Sequence, residues 1–447
     1  MSSHLLDGLT TTDALAAVFS DESTLEAMLR VESTLAQVEA RAGVIPEDAA
    51  RTISSCATTP LFDAEAIARA SRESGTATIP LVKSLTDLVR RKDPAAAVYV
   101  HWGATSQDIS DTALVLLLVK AFAVLSRDHE RLQASLRSRS DEHAHTLMLG
   151  RTLLQPAPPI TFGLKVAGWS AALDRGWTRL ADARRDGLLL QFGGASGTLA
   201  ALGTNGLAVS RALASALEVG YPEAPWHTHR DRLASIVSAC GIYTATLGKM
   251  ARDISLLMQA EVSEVREPGG GSSTMPHKRN PSGCASVLAA ATRVPGLVGT
   301  FLSGMVQEHE RAVGGWHAEW PVVASIVQAT GAATVAMADA IAGLTVYPDA
   351  MRRNLDATNG TVFAERAMML LAPALGRDEA QHMIQETLER VETSGRRFGE
   401  LLRENTDARR VLSADLLETI DRPEHYLGAA DTLRRQLLPA APAVRIG

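Results

Sequence analysis

The stretch Arg266–Pro281 reads REPGGGSSTMPHKRNP. It is polar and rich in Gly and Pro, and it lies between two long Ala- and Leu-rich segments that carry helical periodicity, Arg230–Val265 and Pro281–Val313. Long loops between bundle helices are uncommon unless they are functional. This one brings three glycines, two serine hydroxyls, an ammonium, a guanidinium and an amide within a dozen residues. A mobile loop with Ser272 or Ser273 near Lys278 can deliver an activated hydroxyl to an anionic substrate, with a cation and backbone N–H donors to stabilise the alkoxide. A solvated linker with incidental serines has the same composition.

Outward from the loop, helix dominates. Leu25, Met28, Leu29, Leu35 and Ala36 recur at helical spacing, and Gly43 and Pro46 then supply a stop. Asp111–Arg139 contains neither Pro nor Gly, and Pro321–Val346 is a further long apolar segment. A 30-residue helix is about 45 Å long. Helices of that length and composition cannot cover their apolar faces alone, which points to a long bundle completed by other subunits. Strand signals are weak, with no Asn-Gly hairpin between apolar runs. The greasy runs Ala113–Leu125 and Val322–Val346 carry Lys120, Gln328 and Asp339 and read as buried helices, not membrane spans. Composition shifts divide the chain at about 1–108, 109–346 and 347–447.

Forty-four Lys and Arg against fifty Asp and Glu give a net charge of −6, so no basic surplus points to nucleic acid or to anionic lipid. Three scattered cysteines fit neither a disulfide framework nor a CxxC metal site, and a reducing cytoplasm is expected. The N-terminus has no basic segment followed by an apolar one of the kind that exports a chain. The pairs His143/His145, His227/His229 and His317/Glu319 have short spacings, but none makes a metal set of three or four ligands. The glycines of QFGGASG (Gln191–Gly197) are not followed by Gly-Lys-Ser/Thr, and close helix packing explains them better than phosphate binding.

The run GSSTMPHKRNP resembles the GSSxMPxKxN signature of the fumarase/aspartase superfamily. His101–Ile109 (HWGATSQDI) resembles that family's first block, and Gly150–Ala157 (GRTLLQPA) its second. The resemblance covers nearly the whole chain. It implies an all-α, three-domain subunit whose central long-helix bundle joins three others in a homotetrameric core, with active sites shared between subunits. It also implies a small-molecule carboxylate substrate, no cofactor and no metal. On matching positions Ser272 takes the place of the catalytic base. Lys278, Asn280, Thr105, Ser106, Thr152 and Gln155 take carboxylate-binding places. His101 and Arg311 are further candidates for substrate contact, with a packed loop histidine as the alternative reading of His101. Thr105, Ser106 and Asp108 also suit plain helix capping, and Arg311 a structural ion pair. Adenylosuccinate lyases carry a proton-donating histidine after the Gly-Arg-Thr triplet, where this chain has Leu153. That residue and QEHERAVGGWHAEW (Gln307–Trp320) resemble the cycloisomerase branch, whose substrate is a tricarboxylate. A lyase acting on another succinyl adduct, and a non-catalytic helical tetramer, stay open as alternatives.

Overall fold

The structure, a computed structural model, describes residues 7–438. Six helices longer than twenty residues dominate the described chain: α1 (Asp21–Arg41), α2 (Ser106–Glu142), α3 (Phe162–Gly187), α4 (Asp231–Leu257), α5 (Ser282–Ser303) and α6 (Gly315–Ala342). The start of α1 shows why such segments fold locally. Ser20 Oγ accepts from Ser23 N at 3.1 Å, Asp21 and Glu22 complement the positive end of the helix, and Arg41 complements the other. Leu25, Met28, Leu29 and Leu35 are buried, as the periodicity predicts.

The chain divides into two compact units. One comprises residues up to Glu130, Arg175–Gly248 and Ser286–Ala336; the other comprises Arg131–Asp174, Lys249–Ala285 and the chain from Met337 on. Every cut falls inside one of the helices α2 to α6.

In the first unit α2 is buried on two sides. Val115, Leu118, Phe122 and Leu125 share a cluster with Ile236, Val237 and Cys240 of α4 and with Val323, Ile326 and Val327 of α6. Ile109, Ala113, Leu116 and Leu117 pack instead with Leu25, Met28 and Leu29 of α1. A helix apolar around its circumference needs such two-sided cover. The second unit has its own core of short helices, built on Leu371, Met383, Phe398, Leu402 and Ile420.

By length and composition four helices, α2, α4, α5 and α6, are apolar enough to cross a membrane. In α2, α4 and α6 most of the apolar stretch is buried within the chain, in line with the reading of Ala113–Leu125 and Val322–Val346 as core. In α5 only 22% of it is.

The segment boundaries differ from the periodicity in several places. The helix expected over Pro281–Val313 ends at Ser303. The helix expected over Arg230–Val265 ends at Leu257, and the chain then turns, with Ser263 at φ 50°, into a two-residue strand, β3. That strand, Val265–Arg266, pairs with β4, Thr345–Val346, where the last apolar segment leaves α6. A hairpin that no sequence signal announced spans β1 (Leu147–Thr152) and β2 (Gln155–Thr161). Its two-residue turn is Leu153–Leu154, both at positive φ (50° and 66°). Asn-Gly is the usual occupant of such a turn, so the leucines hide it from a sequence reading.

Candidate active site

In the first unit, His101–Ser106 forms a turn that leads into α2. Gly103 at φ 69° makes the turn possible, because a Cβ there would lie 2.8 Å from Leu202. Asp108 anchors the turn. Its carboxylate, 1% exposed, accepts from the backbone N–H groups of Thr105 (3.1 Å), Gly193 (3.0 Å) and Gly194 (2.8 Å), from Gln191 Nε2, and pairs with His227 Nε2 at 2.8 Å. Capping therefore belongs to Asp108, which reaches back to the Thr105 N–H in the manner of a capping box. Two of the glycines of QFGGASG, Gly193 and Gly194, thus turn their N–H groups toward this carboxylate.

The Thr105 hydroxyl is left for another role. It accepts from Arg311 Nη1 at 2.9 Å, and Arg311 Nη2 donates to the Ala195 carbonyl at 3.1 Å. Arg311 Nε is buried without a partner, and no carboxylate pairs with this guanidinium among the described residues. The ion-pair alternative for Arg311 is thus replaced by a cation held between a hydroxyl and a carbonyl. Ser106 opens α2 and its carbonyl accepts from the Thr78 hydroxyl at 3.1 Å. His101 pairs through Nδ1 with Glu32 Oε1 at 2.6 Å. Burial lowers its pKa, but the charge and hydrogen bond of Glu32, with Asp108 adding, carry it above the ordinary histidine value.

Beneath this turn lies a buried charge network. Arg230, fully buried, bridges Asp111 and Glu319, while Trp316 Nε1 and Gln107 Nε2 donate to Asp111 and Gln307 Nε2 donates to Glu319. Glu319 is therefore committed to a guanidinium, whatever its spacing from His317. Among the described residues no three His, Cys, Asp or Glu side chains cluster as a metal would require.

The second unit carries the remaining candidate residues. Thr152 and Gln155 face each other across the first pair of the hairpin, exposed, and neither side chain makes a hydrogen bond within the described residues. Leu153 at the tip is 97% exposed and Leu154 74%. The hairpin is fixed from behind, because Arg151 grips the buried Glu264 with two bonds (3.0 and 2.7 Å) and Asn354 Nδ2 donates to the same carboxylate at 2.8 Å.

The loop is closed on itself. Asn280 N donates to Gly270 O at 2.6 Å, and a Cβ on Gly270 would sit 1.8 Å from the Asn280 carbonyl oxygen, so only glycine fits there. Buried Glu267, just ahead of the glycines, caps α5 through the N–H groups of Gly283 (2.7 Å) and Cys284 (3.1 Å). Between these anchors Ser272 Oγ accepts from Met275 N at 3.1 Å and Thr274 N at 3.4 Å. Lys278 is exposed and forms no ion pair among the described residues.

The structure thus brings Thr105 and Arg311 together in one unit, and groups Thr152 with Gln155 and Ser272 with Asn280 in the other. The sequence reading missed Glu32, Glu264, Glu267 and the Asp111–Arg230–Glu319 network. One signal was available for Glu32 and its neighbour Glu39: both fall on the apolar stripe of α1, where an acid is out of place.

Residues 9–296 match the family model described as Lyase, and residues 360–437 that described as Adenylosuccinate lyase C-terminus. The chain is 44% identical over 440 residues, 98% of its length and of the relative's, to a 3-carboxy-cis,cis-muconate cycloisomerase of Bradyrhizobium diazoefficiens. It is 45% identical over 433 residues, 96% of its length and 94% of the relative's, to the protein of the same name from Pseudomonas aeruginosa. The crystal structure of 3-carboxy-cis,cis-muconate lactonizing enzyme from Pseudomonas putida matches it with a TM-score of 0.92 at 43% identity, covering 98% of each chain. A family model that spans most of the chain, and relatives matched along nearly all of it, place this protein as a member of the lyase family within the fumarase/aspartase superfamily.

Proposed function

We propose that this chain is an enzyme that interconverts 3-carboxy-cis,cis-muconate and 4-carboxymuconolactone, a lactonisation in the protocatechuate branch of aromatic degradation. The observation that carries the reading is the 44% identity to a cycloisomerase over 98% of both chains. The hairpin tip agrees with it. Leu153 cannot transfer a proton, and this reaction does not ask it to. A carboxylate oxygen adds to a C=C bond in one direction and leaves in the other, and a carboxylate leaves without acid help near pH 7. The family's lyases that expel a poorer leaving group are a weaker fit to such a tip.

One proton must still be exchanged, at the carbon beside the new C–O bond. Ser272 is the proposed donor and acceptor. The two N–H groups aimed at its Oγ would stabilise negative charge there once the proton leaves. Lys278 and Asn280 would bind and steady the carboxylate whose charge grows during the reaction. Arg311 with Thr105, together with Ser106, Thr152, Gln155 and His101, would hold the other carboxylates. No cofactor or metal enters this scheme.

The proposed assembly is a homotetramer of roughly 190 kDa, from four 47.5 kDa chains, with sites that draw on more than one chain. Apolar surface that one chain leaves open supports it: α5, with 22% of its apolar stretch buried, and the leucine tip of the hairpin. The proposal keeps the three segments 1–108, 109–346 and 347–447 as the domains of each subunit. Three cysteines, all buried and unpaired, suit a cytoplasmic location.

Incubating the protein with 3-carboxymuconate and, separately, with adenylosuccinate, while following ultraviolet absorbance, tests the reading. Loss of the muconate diene band is expected. Turnover of adenylosuccinate alone would replace the proposal, and silence toward both would favour a structural tetramer.

A further inference from the structure

His101 stands at φ 60°, a backbone region that residues bearing a Cβ seldom occupy. What holds it there comes from 69 residues upstream, the Glu32 carboxylate, 2.6 Å from Nδ1. The Glu32 side chain is 1% exposed and its second oxygen has no hydrogen-bond partner among the described residues. On the other side of the ring, Nε2 makes no hydrogen bond within the described residues and is not buried, since the His101 side chain is 18% exposed. The pair therefore has one end sealed in the core and the other open.

We propose that Glu32 is a positioning residue for substrate binding: it accepts the Nδ1–H bond of His101 and holds the ring as a cation whose Nε2–H is offered to a substrate carboxylate. The inference rests on the proposed reading of His101 as a substrate contact and adds the group that makes His101 fit for it. A buried carboxylate with an unpartnered oxygen needs a charge beside it, and among the described residues His101 is the cation paired with Glu32. The requirement runs both ways, because the carboxylate fixes which nitrogen carries the inward proton and leaves the outward N–H as donor.

The other charged groups near the ring leave this pairing intact. Asp108, at the start of α2, already accepts from three backbone N–H groups and Gln191 and is paired with His227, so its charge is largely spoken for. Glu39, two turns along α1 and fully buried, has no hydrogen-bond partner on either oxygen among the described residues. Burial, and then the charge of Glu32, push it up to about 9, so it is neutral near pH 7 and does not compete for the histidine. With His101 charged, the proposed site has three cations, His101, Lys278 and Arg311, for three carboxylates.

The test compares wild type, Glu32→Gln, Glu32→Asp, His101→Gln and the Glu32→Gln/His101→Gln double variant as tetramers. Two readouts are taken across pH: kcat and KM with 3-carboxymuconate, and calorimetric binding of tricarballylate, a saturated tricarboxylate. Removing a charge-assisted contact should weaken tricarballylate and raise KM roughly ten- to a hundredfold in Glu32→Gln, with kcat less affected. The pH above which binding fades should move down in Glu32→Gln and stay near its wild-type place in Glu32→Asp, which keeps the charge. In the His101→Gln background, Glu32→Gln should add nothing. An unchanged affinity and pH profile in Glu32→Gln, or an equal loss with and without His101, overturns the proposal even if the melting temperature falls. Should wild type ignore 3-carboxymuconate yet bind tricarballylate with this pH dependence, the reaction assignment falls and the Glu32–His101 pair stands.

Discussion

Ser272→Ala removes one oxygen and separates a catalytic hydroxyl from a loop-building one. The structural part of the loss can be bounded. Ser272 Oγ receives one bond of ordinary length, from Met275 N at 3.1 Å, and a longer one from Thr274 N at 3.4 Å. A typical bond of this kind contributes about 1 kcal/mol net. The freed N–H groups belong to exposed residues and can turn to water. The loop keeps its own closure through Asn280 N and Gly270 O, and its base keeps the Glu267 cap on α5. The melting temperature should therefore move by no more than a few degrees, and the assembly should persist on size exclusion.

The chemical part is larger. Removing a positioned acid/base costs about 10²–10⁴ in rate, or roughly 3–5 kcal/mol in the barrier. Steady-state loss of the muconate absorbance should show kcat collapsed by at least two decades, while tricarballylate still binds through Arg311, Lys278 and Asn280. Ser273→Ala is the matched control, since that side chain is exposed and makes no hydrogen bond within the described residues. Retention of more than about a tenth of wild-type kcat in Ser272→Ala is too small a loss for an acid/base group and would refute the role given to this hydroxyl; His101 and His317 would then be the next candidates.

Arg311→Met and Lys278→Met should each lower kcat/KM by about one to two decades, the worth of a charge-assisted contact; unchanged kinetics would take that residue out of the site. Mixing Ser272→Ala with Gln155→Ala subunits after partial unfolding should restore activity in hybrid tetramers, and proven hybrids that stay inactive would place each site within one chain. Glu39→Met should stabilise the fold in a pH-dependent way. Glu39 is protonated in the folded chain up to about pH 9 but ionises near pH 4.5 when unfolded, so stability falls as pH rises through that window, by roughly 3 kcal/mol at pH 7. The advantage of Glu39→Met in urea melts should widen from pH 5 to pH 8, and a constant gap would show that Glu39 does not carry the buried proton.

What could be read in the sequence was what local chemistry writes there. Helical periodicity found α1, α2 and α6, and also α5 up to Ser303, ten residues short of the expected end at Val313, and a Gly- and Pro-rich interval found the loop, because each is determined within a dozen residues. The end of α4 was missed by eight residues, since the segment after Leu257 keeps a helix-compatible composition while Glu264, buried under Arg151 and Asn354, pulls it into a turn. The β1–β2 hairpin was missed because its turn carries Leu153–Leu154 in place of residues that accept positive φ without strain.

That turn shows where a sequence reading fails and why the failure informs. Bulky side chains at positive φ cost free energy, and leucines at 97% and 74% exposure gain nothing from burial within the chain. Neither local propensity nor the core of the subunit accounts for them, so the explanation has to come from whatever meets the tip. If a second subunit covers it, Leu153 keeps water from the substrate at the place where related lyases put a histidine. Leu153→Asn, which suits the turn better, should then leave the isolated hairpin less strained yet lower kcat/KM. A gain in both stability and activity would mean that the tip meets nothing. The pairs in the proposed site, Glu32 with His101 across 69 residues and Thr105 with Arg311 across 206, follow the same logic. Their residue types were visible, but only the fold decides which side chain faces which.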